Sequence, residues 1–291
     1  MARTEEEIVQ IVGEHSRSLS EAAILREEDI DSLIGADVED CLILILVEGE
    51  TDIQFIECVL SESPGKILCK DGKQYPGYSS GKNSLYDLLD ATSGKDWCKR
   101  VIAIRDRDYS DPDAYPDRMF AYDHCCLEMM LLSHPEVQKR VRANYTIIEE
   151  RPYIPLCLMR LIAPFSLLRK KNELQGLEID FGNSGVLLGC GKNRLPDMEI
   201  LFRKHQLEDQ YDLFQTDANH LSDEELWEIT NGHDICSLLG KSVRLGKGAL
   251  GEDGLFRFLL SVYRLSDFKN TNLYSDLEQY QRLERLNFLP S

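Results

Sequence analysis

Leu42-Ile43-Leu44-Ile45-Leu46-Val47-Glu48-Gly49-Glu50-Thr51-Asp52 is the stretch on which the reading of this chain turns. Six apolar residues in a row, β-branched ones among them, stop at an acidic turn that contains glycine. A short apolar run bounded by a turn signal reads as a strand buried on both faces. Strands of that kind belong to parallel sheets covered by helices. Thr51 or Asp52 then caps a helix carrying Ile53, Phe55, Ile56 and Val59. Glu48 is thereby set at the carboxyl end of a central strand, where open α/β sheets receive their ligands.

The same arrangement recurs downstream. Val101-Ile102-Ala103-Ile104 is a second apolar strand, ending in Arg105-Asp106-Arg107-Asp108. Arg118 to Tyr122 reads as another, ending in Asp123, and Lys66 to Cys69 as a short one. Asn83 is the expected cap of a helix with Leu85, Leu88 and Leu89 inside, and Cys126 to Leu132 reads as a helix whose single carboxylate is Glu128. Alternating strands and helices predict an α/β fold, with a mostly parallel, Rossmann-like sheet between helices over residues 39–135. A helical segment, 1–38, precedes it; Ile8, Ile11 and Val12 recur at helical spacing there, and Ser20 stands before Glu21 to Leu25. A mainly helical region, 136–291, follows. Its expected helices are Glu136 to Ala143, Leu156 to Lys171, Pro196 to Lys204, Ser222 to Thr230, Asp234 to Leu245 and Glu252 to Leu265. Pro164 should kink or break the second, Asp234 should cap the fifth, and an apolar run, Val186 to Leu188, follows a glycine-containing interruption.

The 33 basic and 51 acidic side chains leave a net charge of −18. That excess argues against a broad, non-specific grip on nucleic acid or an anionic membrane. A local basic groove, or contact through metal ions, remains compatible with it. The opening Met1-Ala2-Arg3-Thr4-Glu5-Glu6-Glu7 has no secretory apolar core. No run reaches the ~18 apolar residues of a membrane span. The nine cysteines are scattered and odd in number, with neither zinc spacing nor a disulfide framework. Reduced thiols and a cytoplasmic location are the expectation.

The strand ends carry the candidate chemistry. Glu48, the pair Asp106 and Asp108, and Asp123 or Glu128 converge if their strands are parallel neighbours. Carboxylates gathered in this way repel one another, and a divalent cation relieves the repulsion. Magnesium, with manganese as a substitute, suits such a set because it is held by one or two carboxylates and keeps waters for a phosphate substrate. A metal so held activates water and stabilises a leaving oxygen in phosphodiester cleavage. Glu48 is then an acid–base group or a further ligand, and Lys82, Arg105 and Arg107 neutralise phosphate charge. Gly81-Lys82 is not a phosphate-binding P-loop, because Pro76 stands where that motif has its first glycine. Glu50 reads as solvated or supporting, Asp52 as a cap, and His124, beside Asp123, as a supporting group. His233 reads as a structural histidine at a helix start.

Val47-Glu48-Gly49-Glu50-Thr51-Asp52, followed by Ile104-Arg105-Asp106-Arg107-Asp108, resembles the signature of Toprim domains: a strand-end Glu-Gly and, some tens of residues on, an Asp-x-Asp. Tyr122-Asp123, Leu127-Glu128 and Asn231-Gly232-His233-Asp234-Ile235 are similar to features of a stand-alone Toprim family that includes the nuclease effector of PARIS-type anti-phage defence. OLD-like Toprim nucleases are more distant. The resemblance implies a Toprim-like fold and a Mg²⁺-dependent endonuclease with Glu48, Asp106 and Asp108 as the metal and acid–base set. It also implies Asp123 and Glu128 as additional ligands. An ABC-type ATPase partner and a nucleic-acid substrate, RNA (tRNA among them) or DNA, come with it. Two alternatives use the same residues differently: a non-catalytic assembly subunit of the ATPase, and a nucleotidyl or phosphoryl transferase. A homodimer through the helical second half is a further expectation.

Overall fold

The structure, a computed structural model, describes residues 30–111, 114–144, 146–147, 155–181, 196–245 and 248–290. The expectations for residues 1–29 and 186–188 lie outside these. The fold is α/β. Four parallel strands, β1 (Ile43–Val47), β2 (Ile67–Asp71), β3 (Val101–Arg105) and β4 (Met119–Ala121), lie in the order β2-β1-β3-β4 and are flanked by helices. Every residue of β1 and β3 is buried, which is why both strands read as unbroken apolar runs. Val47 pairs with Asp71 on one side and with Ile104 on the other.

The chain divides into two compact units. The first holds the described residues up to Ile104, with 117–119 and 281–290. Its helices are α1 (30–39), α2 (Glu50–Val59) and α3 (Lys82–Ala91). Ile30, Ile34, Phe55, Ile56, Leu85 and Leu88 join β1 in the core. Arg100 ties the end of α1 to the start of β1, donating to the carbonyls of Val38, Cys41 and Leu42. Arg118 has a positive φ of 71° and donates to the Thr92 hydroxyl and to three main-chain carbonyls, those of Leu89, Cys98 and Val101.

Two helix starts in this unit differ from the sequence expectation. α2 is capped by Gly49, not by Thr51 or Asp52; Asp52 instead sits in the first turn and reaches back to accept the Gly49 N–H at 3.0 Å. A carboxylate there satisfies an orphan donor and opposes the positive end of the helix dipole. α3 begins one residue before Asn83, with Gly81 as cap at φ 103°, in the left-handed region that glycine tolerates.

The second unit comprises residues 105–116 and 120–280. It holds α4 (Leu127–Ser133), α5 (Pro135–Asn144), α6 (Pro155–Gln175), α7 (Met198–Lys204), α8 (Tyr211–Ala218) and α9 (Asp223–Ile229). It continues with α10 (Gly232–Ser242), α11 (Gly251–Val262), α12 (Leu265–Phe268) and most of α13 (Asn272–Leu283). β5 (Thr146–Ile147), β6 (Val243–Leu245) and β7 (Gly248–Ala249) form a small antiparallel sheet. α6 runs on through Pro164, which does not break it. Asp234 lies inside α10 and pairs with Arg169 at 2.6 and 3.0 Å, so it is a buried ion-pair partner and not the cap. Arg169 also lies over the Phe165 and Phe181 rings, at 4.9 and 4.8 Å. No described helix is long and apolar enough to cross a membrane.

Candidate functional site

In the first unit, Glu48 is the first residue beyond β1 and is half-buried. Its carbonyl accepts the Gly81 N–H at 3.0 Å, which joins the loop before α3 to the end of β1. Lys82, the next residue, opens α3. Glu50 opens α2 and is exposed, whereas Asp52 is buried in its capping contact. β2 also ends in a carboxylate, Asp71, which is fully buried and paired with Lys73 at 3.0 Å. The sequence reading passed over Asp71, although it repeats the rule that found Glu48 and Asp106. An open groove of about 690 Å³ lies between α1, α3 and the middle of the loop before α3, lined by Asp31, Gly77, Tyr78, Ser79, Asp87 and Asp90 among others; Lys73 and Lys82 are not among its lining residues. Its acidic wall is unsuited to a phosphate.

In the second unit the Asp106 loop is fixed by side chains as much as by main chain. Asp106 Oδ1 accepts the Leu127 N–H at the start of α4, at 3.0 Å. Asp108 adopts φ 51°, a conformation that short polar residues tolerate, and its N–H donates to the Cys125 carbonyl at 2.7 Å. Arg105, only 2% exposed, donates to the Asp108 carboxylate at 3.0 Å and to the Asp106 carbonyl at 2.7 Å, and lies over the Tyr115 ring. Arg107 pairs with Glu228 of α9 at 2.5 Å. The other Glu228 oxygen meets His124 Nδ1 at 2.9 Å. The His124 hydrogen bond, with help from Arg107, holds the Glu228 carboxyl below its usual range.

The remaining candidates are also engaged. Asp123 accepts the Asn272 and Leu273 N–H groups at 2.9 and 3.0 Å, capping α13. Glu128 is buried, with one oxygen 3.9 Å from His233 Nδ1. Gly232 makes that approach possible: a Cβ there would stand 2.7 Å from a Glu128 carboxylate oxygen and 2.5 Å from Cys126 Sγ. His233 lies in the first turn of α10 and bonds Glu252 at 2.7 Å; this bond, with Glu128 close by, pushes the imidazole up to about 9. Sequence reasoning missed Glu228 and Glu252, whose partners lie far along the chain, in loops for Glu228 and on α10 for Glu252, and leave no local pattern.

Within the second unit, then, Asp106, Asp108 and Arg105 share one loop, while Asp123 is turned to α13 and Glu128 to α10. Among the described residues no group of three or more His, Cys, Asp and Glu is disposed to hold a metal ion. The donor set is nevertheless all carboxylate oxygen at the strand ends, and magnesium needs only one or two such ligands beside water and phosphate. Neither a scan against protein-family models nor a search of curated proteins found a match to this chain.

Proposed function

We propose that this chain is a Toprim-type, Mg²⁺-dependent nuclease that cleaves phosphodiester bonds of nucleic acid, serving as the effector of an anti-phage system. The observation that carries the reading is the sheet: β1 and β3 are hydrogen-bonded parallel neighbours, and the residues that follow them are Glu48 and the Asp106–Asp108 loop. Ligands of open α/β sheets bind beyond the carboxyl ends of the strands. Glu48, Asp106 and Asp108 are the residues that would hold the metal, with Asp123 and Glu128 as further carboxylates. Bound there, the ion would lower the pKa of a water and offset charge on the leaving oxygen. Glu48 is the group suited to accept or return a proton, being half-buried and held through its main chain.

A restrained form of this activity is favoured by the pairing of both arginines within the chain, Arg105 with Asp108 and Arg107 with Glu228. Such a protein binds substrate weakly until a partner, in this reading an ABC-type ATPase, releases it. The test is incubation of the wild-type protein, Glu48→Ala and Asp106→Ala with mixed RNA and DNA in Mg²⁺ or Mn²⁺. Loss of about a hundredfold or more in cleavage by each variant is expected of an acid–base or ligand carboxylate. Equal cleavage by all three proteins would remove the mechanism. Extension or turnover of nucleotides without scission would transfer the same carboxylates to a transferase.

A further inference from the structure

We infer that residues 71–82 form a phosphate-holding arm of the site to which Glu48 belongs, with Lys73 touching a substrate phosphodiester and Asp71 as a positioning residue. The substrate's identity rests on the nuclease reading; the construction of the arm does not.

The arm is built from contacts that run without a gap from Glu48 to Lys73. β2 is the parallel neighbour of β1 on the side away from β3, and Asp71 is in register with Val47, the residue before Glu48. The Glu48 carbonyl holds the Gly81 N–H. The preceding hydroxyl, of Ser80, donates to Asp71 Oδ2 at 3.3 Å, and the same oxygen meets Lys73 Nζ at 3.0 Å. The loop closes on itself at Gly72, where an added Cβ would stand 2.2 Å from the Ser79 carbonyl oxygen and 2.7 Å from Ser84 Cβ. Main chain therefore passes directly over Gly72, and the Ser79 N–H is taken by the Ser84 hydroxyl at 3.2 Å.

Asp71 is an unusual residue for a loop anchor. It is 0% exposed, and its Oδ1 is buried with no hydrogen-bond partner. A buried carboxylate is costly unless paired, so the Lys73 ammonium and the Ser80 hydroxyl are held to it. The lysine side chain is still 57% exposed. An ammonium has three donors; one faces Asp71, leaving two for oxygens of an incoming phosphate. Lys82, at the other end of the same loop, adds a second cation. Lys73, linked through Asp71 and Ser80 to the loop that bonds the Glu48 carbonyl, counters the repulsion that strand-end carboxylates exert on a phosphodiester.

The experiment measures binding of a fluorescein-labelled, mixed-sequence 20-mer, as RNA and as DNA, in Ca²⁺ and across a salt series. Lys73→Ala should weaken binding about tenfold and reduce the salt slope by about 0.7, the signature of one lost phosphate contact on a single strand. Lys73→Arg, which keeps the charge, should restore most of the affinity. In an Asp71→Asn background, where the ammonium has lost its anchor, Lys73→Ala should add little. Melting of Lys73→Ala and of Asp71→Asn checks that each variant is folded, since both disturb the pairing of a buried carboxylate. Equal binding by the wild type and Lys73→Ala, or no binding by either, would overturn the arm. Cleavage by Glu48→Ala reads the nuclease separately: unchanged cleavage with a Lys73 binding defect sinks the nuclease and leaves the arm, and the reverse sinks the arm alone.

Discussion

The two units hold their strand-end carboxylates by different means. Around Glu48 the ties include short-range and main-chain ones: Gly81 to the Glu48 carbonyl, Asp52 to Gly49, and β2 against β1. Around Asp106 they are side chains from far along the chain, with Arg107 reaching Glu228 across 121 residues and Asp123 reaching Leu273 across 150. Apolar burial positions the first group, and paired charges position the second. The difference shows where a charge network is available to be loosened without disturbing the sheet.

The contrast is open to attack by substitution. The heaviest blow to the second unit is Arg169→Ala, which strands the buried Asp234 and removes the cation from between Phe165 and Phe181. Breaking a buried pair from one side costs about 3–5 kcal/mol, read as a lower urea midpoint. In the first unit Leu46→Ala should cost a comparable ~2–5 kcal/mol through lost burial and a cavity. If the units differ as described, 1 M salt narrows the gap between wild type and Arg169→Ala more than that between wild type and Leu46→Ala. A smaller loss follows from Asp123→Ala, which uncaps α13 and should cost about 1 kcal/mol. A change confined to metal binding with no change in stability would instead show Asp123 serving the metal and not the cap.

Acid should act on the second unit through His205. Burial, with Arg169 adding repulsion, holds its pKa below the ordinary 6.5, and its Nε2 is buried without a hydrogen-bond partner beside Phe165 and Phe181. The folded state therefore disfavours the charged ring. The stability that a neutral His205 contributes is complete above pH 6.5 and is lost as pH falls through the lowered folded value. His205→Phe should flatten that part of the stability–pH curve. The mildest test is Glu228→Gln, which frees Arg107: oligonucleotide binding should tighten about threefold, with steeper salt dependence from the added cation.

These contrasts also explain what was legible in the sequence. Leu42 to Val47 and Val101 to Ile104 announced buried parallel strands because both faces are covered and no alternation interrupts them. The helix expected over Ser222 to Thr230 is present as α9, and the Ser222–Glu225 box that caps it is local. α8 and α13 were not assigned, although Leu273, Leu277 and Tyr280 do recur at helical spacing. β5, β6 and β7 are two or three residues long, too short for any periodicity to show. Of the site, Glu48 and Asp106 could be found because each follows an apolar strand. Asp71 follows one as well, but Lys70 breaks the run before it. Glu228 and Glu252 had no such marker: their partners are fixed by how distant loops and helices meet, which residue order alone does not specify.

The most direct test of the central claim is a crystal grown with Mn²⁺ and measured at the manganese absorption edge. The account predicts anomalous density touching the carboxylates of Glu48 and Asp106, and its absence in Glu48→Ala crystals treated alike. Density at neither residue in the wild type, or manganese bound only elsewhere, would contradict it.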